Sequence, residues 1–125
     1  MKMKKILVTT AAFFASLGLI ACSSSETAQT PLEKIKEKGT LVVATSPDYA
    51  PFEFQTLVDG ENQVVGSDIM LAQKIADELG VELEISSMNF DNVLNSVQNG
   101  KADLAIAGLS VSPERLEVFD FSEPY

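Results

Sequence analysis

Apolar and polar residues alternate along the chain in blocks that predict strands and helices in turn. The continuous apolar run at 40–45 is typical of a strand buried on both faces. Apolar residues three and four positions apart predict amphipathic helices at 68–79 and 90–97, each with a glycine at or soon after its end. Strict alternation over 81–86 predicts a half-exposed strand toward a sheet edge, and the apolar stretch 102–107 predicts a third strand.

This order of strands and helices predicts βαβ units, and therefore an α/β fold on a mostly parallel sheet with right-handed crossovers and flanking helices. Ligands bind to such sheets at the carboxyl ends of the strands. In this chain those ends are 45–49, 86–89 and 107–110. We therefore expect the binding site there, chiefly at the first and third of these ends.

Shorter elements are predicted between the main ones. Thr30 is expected to cap a short helix that begins at Pro31 and ends before Gly39. After the first strand, prolines predict an extended loop at 49–54, and Asp59-Gly60 predicts the turn of a hairpin.

The first residues have the pattern of a secretion signal. Three lysines precede an uncharged apolar run at 6–20 that is too short to span a bilayer comfortably, which predicts a signal peptide at 1–21. The tetrapeptide Leu-Ile-Ala-Cys at 19–22 resembles a bacterial lipobox; the alternative is a plain signal peptide with a chance cysteine. The resemblance implies lipid chains on Cys22 and attachment to the outer face of the bacterial cell membrane.

Two further segments complete the predicted domain organisation. The small and polar residues that follow the signal predict a lipidated cysteine and flexible tether at 22–31. Residues 32–125 remain, enough for one small domain with a modest core.

Charge and composition exclude several classes of function. Without the predicted signal the chain keeps six of its nine Lys and Arg residues against eighteen Asp and Glu, a net charge of −12. Such a chain repels nucleic acid, which is therefore not an expected partner. Cys22 is the only cysteine, so the body has no disulfide or thiolate metal site, and the absence of histidine weakens an enzymatic interpretation. We expect a monomer without cofactor or metal.

The most informative stretch runs from Gly100 to Tyr125. An apolar strand leads into Gly-Leu-Ser at 108–110 and then into a short helix, opened by a Ser-Pro pair, with Arg115 in its first turn. Free N–H groups before a helix and the donor fork of an arginine both suit a carboxylate. The alternative is an ordinary strand–turn–helix in which Arg115 pairs with a surface acid such as Glu117 or Asp120.

Several landmarks in a fixed order resemble the family-3 extracellular solute-binding proteins of polar-amino-acid ABC transporters. They are Gly39-Thr40-Leu41-Val42-Val43, Pro51-Phe52-Glu53-Phe54, Gly66-Ser67-Asp68-Ile69, Gly100-Lys101-Ala102-Asp103, Gly108-Leu109-Ser110 with Arg115, and Asp120-Phe121-Ser122-Glu123-Pro124-Tyr125. The resemblance implies the first lobe of a type II periplasmic-binding-protein fold, with the hinge and second lobe absent from this sequence. We therefore interpret the chain as the N-terminal part of a longer protein.

The resemblance also implies roles for individual residues at the acid end of an amino-acid ligand. Arg115 would clamp the α-carboxylate, and Ser110 would donate to it from its amide and hydroxyl. Gly108 would accept from the α-ammonium group through its carbonyl.

At the side-chain end, Tyr49 would stack on the ligand, Ser46 and Ser67 would line its pocket, and Glu53 would help to select a cationic or amide group. Ser67 stands where many relatives have an aromatic residue, Met70 replaces a common acid, and Ser46 replaces an aspartate of some relatives, so these differences bear on specificity. Structural alternatives remain. Tyr49 and Phe52 are then packing aromatics, Glu53 is a solvated charge, and Asp68 caps its helix.

The implied function is capture without chemistry. A polar or basic amino acid binds to this lobe, a second lobe closes over it, and the complex is presented to an ABC permease in the membrane. The alternatives are a secreted enzyme on the same scaffold, such as a dehydratase, the sensory lobe of a receptor, and a surface adhesin without a ligand. We expect the lobe alone to fold marginally and to bind weakly or not measurably.

Overall fold

The computed structural model describes residues 28–125. The predicted signal peptide at 1–21, the predicted lipidation site Cys22 and most of the predicted tether lie outside the described residues. The described helices are α1 (Pro31–Lys38), α2 (Ser67–Leu79), α3 (Phe90–Gln98) and α4 (Pro113–Leu116). The described strands are β1 (Thr40–Thr45), β2 (Asp48–Tyr49), β3 (Glu53–Val58), β4 (Glu61–Val65), β5 (Glu82–Ser87) and β6 (Leu104–Ala105).

The predicted parallel sheet is confirmed, with the strand order β5-β1-β6. β1 lies in the middle and pairs with β5 over its whole length, whereas β6 pairs only with Val43 and Ala44. The prediction of a strand at 102–107 was therefore too long. At its start the Asp103 carboxylate, in place of a strand carbonyl, accepts from the Val42 N–H at 2.8 Å. At its end the backbone turns toward Gly108, which has a φ of 57°.

The hydrophobic core lies on both faces of β1, as its continuous apolar sequence predicts. Leu41 and Val43 point to one face, where they pack with Ile35 of α1 and with Ala72 and Ala76 of α2. Ala44 points to the opposite face and packs with Val93 of α3. Since successive side chains of a strand alternate between faces, one short strand supplies both halves of the core.

An ion pair fixes the start of the last strand to the end of the first helix. Lys38 Nζ lies 2.8 Å from Asp103 Oδ2, the same oxygen that accepts from the Val42 amide. The Asp103 amide in turn donates to the Val42 carbonyl at 2.8 Å. Asp103 therefore links α1, β1 and the segment that leads to the candidate binding loop.

A second, antiparallel sheet of order β2-β3-β4 follows β1. Its hairpin confirms the predicted turn, because Asp59 and Gly60 both have positive φ, at 53° and 86°, as a two-residue turn of type I′ requires. The prediction of an extended loop at 49–54 was only partly right. Tyr49 and Glu53 are partners in the β2–β3 ladder, so the segment is a tight reversal instead.

Helix ends follow the predicted signals at α1 and at the end of α2, where Gly80 is the cap, and depart from them at the start of α2. Thr30 and Glu33 form a reciprocal capping box at α1, and Gly39 ends that helix in the left-handed conformation. The expectation that Asp68 caps α2 was wrong, since the N-cap is Gly66 and no side chain caps the helix. Instead, the carbonyls of Pro51 and Phe52 accept from the amides of Ser67 and Asp68, at 3.1 and 2.9 Å.

This backbone contact is possible because Gly66 has no side chain. Its φ is 131°, and a Cβ atom there would lie 2.1 Å from the Phe52 carbonyl oxygen and 2.8 Å from that of Pro51. Any other residue at position 66 would therefore have to push the two segments apart.

Among the helices described, none is long and apolar enough to cross a membrane.

We predict that Gly66→Ala strongly destabilises the full-length protein. Gly80→Ala is the matched control, because Gly80 also has a positive φ, of 71°, but nothing lies within 4 Å of the added Cβ. The control should lower the free energy of unfolding by roughly 1–2 kcal/mol through backbone strain alone. Gly66→Ala should cost clearly more, measured by urea denaturation; equal losses would show that the close approach is unimportant.

Candidate functional site

A cavity of about 430 Å³ lies at the carboxyl ends of β1 and β6. Its walls come from the segment after β1, the first turn of α2, the loop between β6 and α4, and the last residues of the chain. The lining residues are Tyr49, Phe52, Asp68, Gly108, Leu109, Ser110, Val111, Phe121, Ser122, Glu123, Pro124 and Tyr125. The expectation that the site lies at the ends of the first and third strands fits this position.

The end of the middle predicted strand does not contribute to this cavity. Ser86 and Met88 line a separate polar groove with Asn92, Asn95 and Ser96 of α3. The three strand ends therefore do not form one site.

Two aromatic side chains form one wall of the cavity. The rings of Tyr49 and Phe52 lie 5.1 Å apart between centroids and are inclined by 34°. They remain 53% and 40% exposed, so neither is a core aromatic. Tyr49 also packs on Gly108, where a Cβ atom would lie only 3.0 Å from the ring. A flat ring with a free face suits stacking on a planar or extended ligand group.

Arg115 turns back from α4 toward the cavity. Its Nη1 donates to the Ser110 carbonyl at 2.6 Å and lies 3.3 Å from the Ser110 hydroxyl oxygen. In the described part of the chain it forms no ion pair, so the alternative pairing with Glu117 or Asp120 is not observed. The guanidinium therefore lies beside a cavity residue without a counter-ion.

The loop before α4 offers further donors. Ser112 caps α4 by accepting from the Arg115 amide, at 3.3 Å. Within residues 28–125, the amide N–H groups of 108–111 donate no hydrogen bond to a described acceptor. Unpaired amides beside a guanidinium favour a bound anion, and a carboxylate matches the planar donor fork of arginine.

Two carboxyl groups are buried together next to the aromatic wall, and one of them, Asp68, belongs to a lining residue of the cavity. Glu53 and Asp68 are each only 1% exposed, so the alternative of Glu53 as a solvated charge is wrong. Glu53 Oε2 and both Asp68 carboxylate oxygens are buried without a hydrogen-bond partner. The contact between the Phe52 carbonyl and the Asp68 amide brings the two residues side by side.

This environment changes how Glu53 and the neighbouring Tyr125 titrate. Burial, followed by the Asp68 carboxyl group and the more distant charge of Asp48, raises the pKa of Glu53 to about 7. The Tyr125 phenol faces the same pair; burial and then the charge of Asp68 raise its pKa to about 12. Glu53 is therefore partly protonated at neutral pH.

The remaining predicted site residues lie away from the cavity surface. Ser46 is buried after β1, and its hydroxyl donates to Asp48 Oδ1 at 3.2 Å. Ser67 is exposed in the first turn of α2. Their assignment as side-chain pocket residues stays a prediction, and so does the lipidation of Cys22.

Sequence reasoning missed two contributors to the cavity. Asp68 was interpreted as a cap, although an acid after a glycine at the start of a helix was part of the recognised pattern. The segment 121–125 was noted only as the close of the lobe, yet it forms a wall of the cavity.

The described residues contain no cluster of three or more His, Cys, Asp or Glu side chains placed to hold a metal ion.

Comparison with known proteins identifies the family of the chain. Residues 41–125 match the bacterial extracellular solute-binding proteins, family 3. The arginine-binding extracellular protein ArtP of Bacillus subtilis is 36% identical over 123 residues, which are 98% of this chain and 45% of that protein. The cyclohexadienyl dehydratase of Pseudomonas aeruginosa is 34% identical over 111 residues, 89% of this chain and 40% of the enzyme. The chain thus spans less than half the length of these relatives.

Solved structures show the same fold. An amino acid ABC transporter substrate-binding protein from Streptococcus pneumoniae bound to L-arginine is 74% identical, with a TM-score of 0.75 over 77% of this chain and 40% of that one. The arginine-bound form of domain 1 from TmArgBP is 43% identical, with a TM-score of 0.68 over 74% of this chain and 71% of that one. The predicted type II periplasmic-binding-protein fold is confirmed.

We predict that Glu53 makes the stability of the full-length protein depend on pH. The pKa of its carboxyl group is about 7 in the folded state and about 4.5 in an ordinary environment. The folded state therefore binds more protons between these values, and the free energy of unfolding falls as the pH rises through this window. One proton changes the free energy of unfolding by at most about 1.4 kcal/mol per pH unit.

Glu53→Gln should flatten this slope between pH 5 and pH 8, measured by urea denaturation at each pH. Glu61→Gln, an exposed acid of the hairpin, is the control and should keep it. A slope that Glu53→Gln leaves unchanged would contradict a raised pKa for this group.

Proposed function

The chain belongs to the bacterial extracellular solute-binding proteins of family 3, and we propose that it captures a polar or basic amino acid outside the cell for an ABC permease. Arginine is the leading candidate ligand. The observation that carries the proposal is the guanidinium of Arg115, which is held on the cavity residue Ser110 and has no counter-ion among the described residues, although Arg115 is not itself a lining residue.

The acid end of the ligand has a complete set of donors in this lobe. A carboxylate beside Ser110 would meet the Arg115 fork and the unpaired amides of the loop before α4. Because Arg115 reaches the Ser110 hydroxyl as a donor, that hydroxyl keeps its own proton to donate. The α-ammonium group would then face the carbonyl of Gly108, and the ligand side chain would extend along Tyr49.

The choice of arginine rests on the relatives and on charge. ArtP is described as arginine-binding, and both solved structures contain arginine. A guanidinium is planar and stacks on aromatic rings, which fits the exposed face of Tyr49. The acids Glu53 and Asp68 behind this wall place negative charge near the position of a cationic side chain.

Delivery of the ligand to the permease requires parts of the protein beyond this lobe. We propose that a second lobe closes over the ligand, excludes water and thereby strengthens the pairing with Arg115. The closed form would dock on the permease, and lipid chains on Cys22 would keep the protein at the outer face of the membrane.

Globomycin treatment of the producing cells should leave the uncleaved lipoprotein precursor if Cys22 is lipidated.

An enzymatic role is disfavoured by the burial of Glu53 and Asp68, the acid pair near the strand ends in the described residues. The dehydratase relative shows that this scaffold can carry catalysis. However, the unpartnered oxygens of Glu53 and Asp68 have no exposed surface, so a substrate in the cavity does not touch them. Turnover of a cyclohexadienyl acid by the purified full-length protein would support the enzyme instead.

We predict that Arg115→Ala weakens L-arginine binding by the full-length protein at least tenfold. Loss of one partner of a desolvated charge pair costs roughly 2–5 kcal/mol, and each decade of affinity is about 1.4 kcal/mol. Arg115→Lys should recover only part of the affinity, because an ammonium group cannot form the bidentate contact.

Lys36→Ala is the matched control for net charge, since Lys36 is exposed at the end of α1. It should bind like the parent in isothermal titration calorimetry. Unchanged affinity of the Arg115→Ala protein would remove the carboxylate clamp and with it the proposed orientation of the ligand.

The lobe by itself gives a further prediction. The arginine-bound domain 1 of TmArgBP weighs against the expectation that a single lobe binds too weakly to measure. Because all donors for the carboxylate lie within residues 28–125, this segment should bind L-arginine detectably but more weakly than the full-length protein. Titration followed by amide NMR shifts measures this; no shift at millimolar arginine would place essential contacts in the second lobe.

A further inference from the structure

The strand that leads into the candidate carboxylate loop is held to the sheet by few bonds. β6 pairs with β1 over two residues only, Leu104 and Ala105. Directly after them the Ile106 amide donates to the Ala44 carbonyl at 3.0 Å. The chain then enters the loop 108–111, whose amides have no acceptor among the described residues. The position of this loop therefore depends on how firmly the start of β6 is held.

Asp103 holds that start through two bonds to one residue of the central strand. Its amide donates to the Val42 carbonyl, and its carboxylate accepts from the Val42 amide, each at 2.8 Å. The Asp103 side chain is only 23% exposed, and Lys38 Nζ lies 2.8 Å from the same carboxylate oxygen. A hydrogen bond to a charged acceptor is among the stronger ones in proteins.

The backbone before Asp103 is committed elsewhere. In a regular parallel ladder, a carbonyl of the neighbouring strand would accept from the Val42 amide. The amides of Lys101 and Ala102, however, both donate to the Ser96 carbonyl near the end of α3, at 2.8 and 3.1 Å. Without the carboxylate, the Val42 amide would lose its acceptor, or this segment would have to leave α3 to supply a carbonyl.

The other end of the same run has little room for displacement. Gly108 lies against the Tyr49 ring, and a Cβ atom at Gly108 would be only 3.0 Å from it. Ile106 and Ala107, which precede it, are buried. A shift at the start of so short a run is therefore passed on to the loop, and a binding site tolerates displacements of only about 0.5 Å.

We propose that Asp103 is a positioning residue for the carboxylate site, because it fixes the loop 108–111 through Val42 without touching the ligand. This inference rests on the proposed function. Loss of the carboxylate should lower the affinity of the folded protein for L-arginine, apart from any loss of stability. Lys38 has a minor part, since an ion pair with a half-exposed lysine contributes little.

The test is calorimetric titration of full-length variants with L-arginine, which separates the Kd of the folded protein from the fraction that is folded. Asp103→Ala should raise the Kd by about fivefold and leave the stoichiometry unchanged. Asp103→Asn keeps an oxygen that can accept from the Val42 amide and should stay within about twofold of the parent, as should Lys38→Ala.

Asp77→Ala is the matched control. Asp77 is an exposed acid of α2 that accepts one hydrogen bond, from the Gln73 side chain at 2.8 Å. Its loss removes the same charge and one bond at a distance from β6, so the Kd should not change. Where Asp103→Ala does not fold, Asp103→Glu gives the same comparison, because the longer side chain keeps the charge and displaces the acceptor.

A stoichiometry that falls while the Kd stays unchanged would show that Asp103 only stabilises the fold, and would overturn the inference while the proposed function stands. Equal rises of the Kd in Asp103→Asn and Asp103→Ala would assign the effect to the charge and overturn it as well. In the ligand-free protein, the amide NMR shifts of 108–111 should move in Asp103→Ala and not in Asp103→Asn; shifts unchanged in both would also contradict positioning. Absence of arginine binding by the parent would overturn the proposed function, and these shifts would still decide whether Asp103 positions the loop.

Discussion

The close backbone approach at the start of α2 is the constraint on which the rest of the site depends. The first turn of this helix has no side-chain cap, and the Pro51 and Phe52 carbonyls satisfy its amides. The contact holds the aromatic reversal against the helix, which sets the Tyr49–Phe52 wall over the cavity. It also forces Glu53 next to Asp68. A single missing Cβ atom, at Gly66, thus determines both the shape of the wall and the charge behind it.

The cavity separates two kinds of charge. An unpaired guanidinium and free amides lie at the β6–α4 loop, and buried acids lie behind the aromatic wall. The acids are buried without a hydrogen-bond partner and are therefore costly unless they are compensated, whereas the half-buried guanidinium is still partly solvated. A zwitterion with a cationic side chain has the reverse polarity along its length. Under the proposed function, complementarity of this kind would discriminate against acidic amino acids and favour basic ones.

Local signals made most of the elements predictable, and long-range contacts account for what was missed. The cap of α1, the glycine that ends α2 and the Asp59-Gly60 turn are set by neighbouring residues, so sequence patterns indicate them. The length of β6 depends on a side chain, Asp103, that takes the place of a strand carbonyl. The burial of Glu53 and Asp68 arises only when the segment after β1 folds onto α2, and no local pattern reports this.

The exposed edge of the parallel sheet bears on how the protein behaves when crowded. β5 is one of the two outer strands of the described sheet, and Glu82 and Glu84 alternate with half-buried residues along it. An unprotected edge strand is a template for joining with another molecule. Two copies that met along this edge would place like charges against each other, so the repulsion between these acids opposes self-association. The sheet can thereby keep this edge open without pairing with the same edge of a second copy.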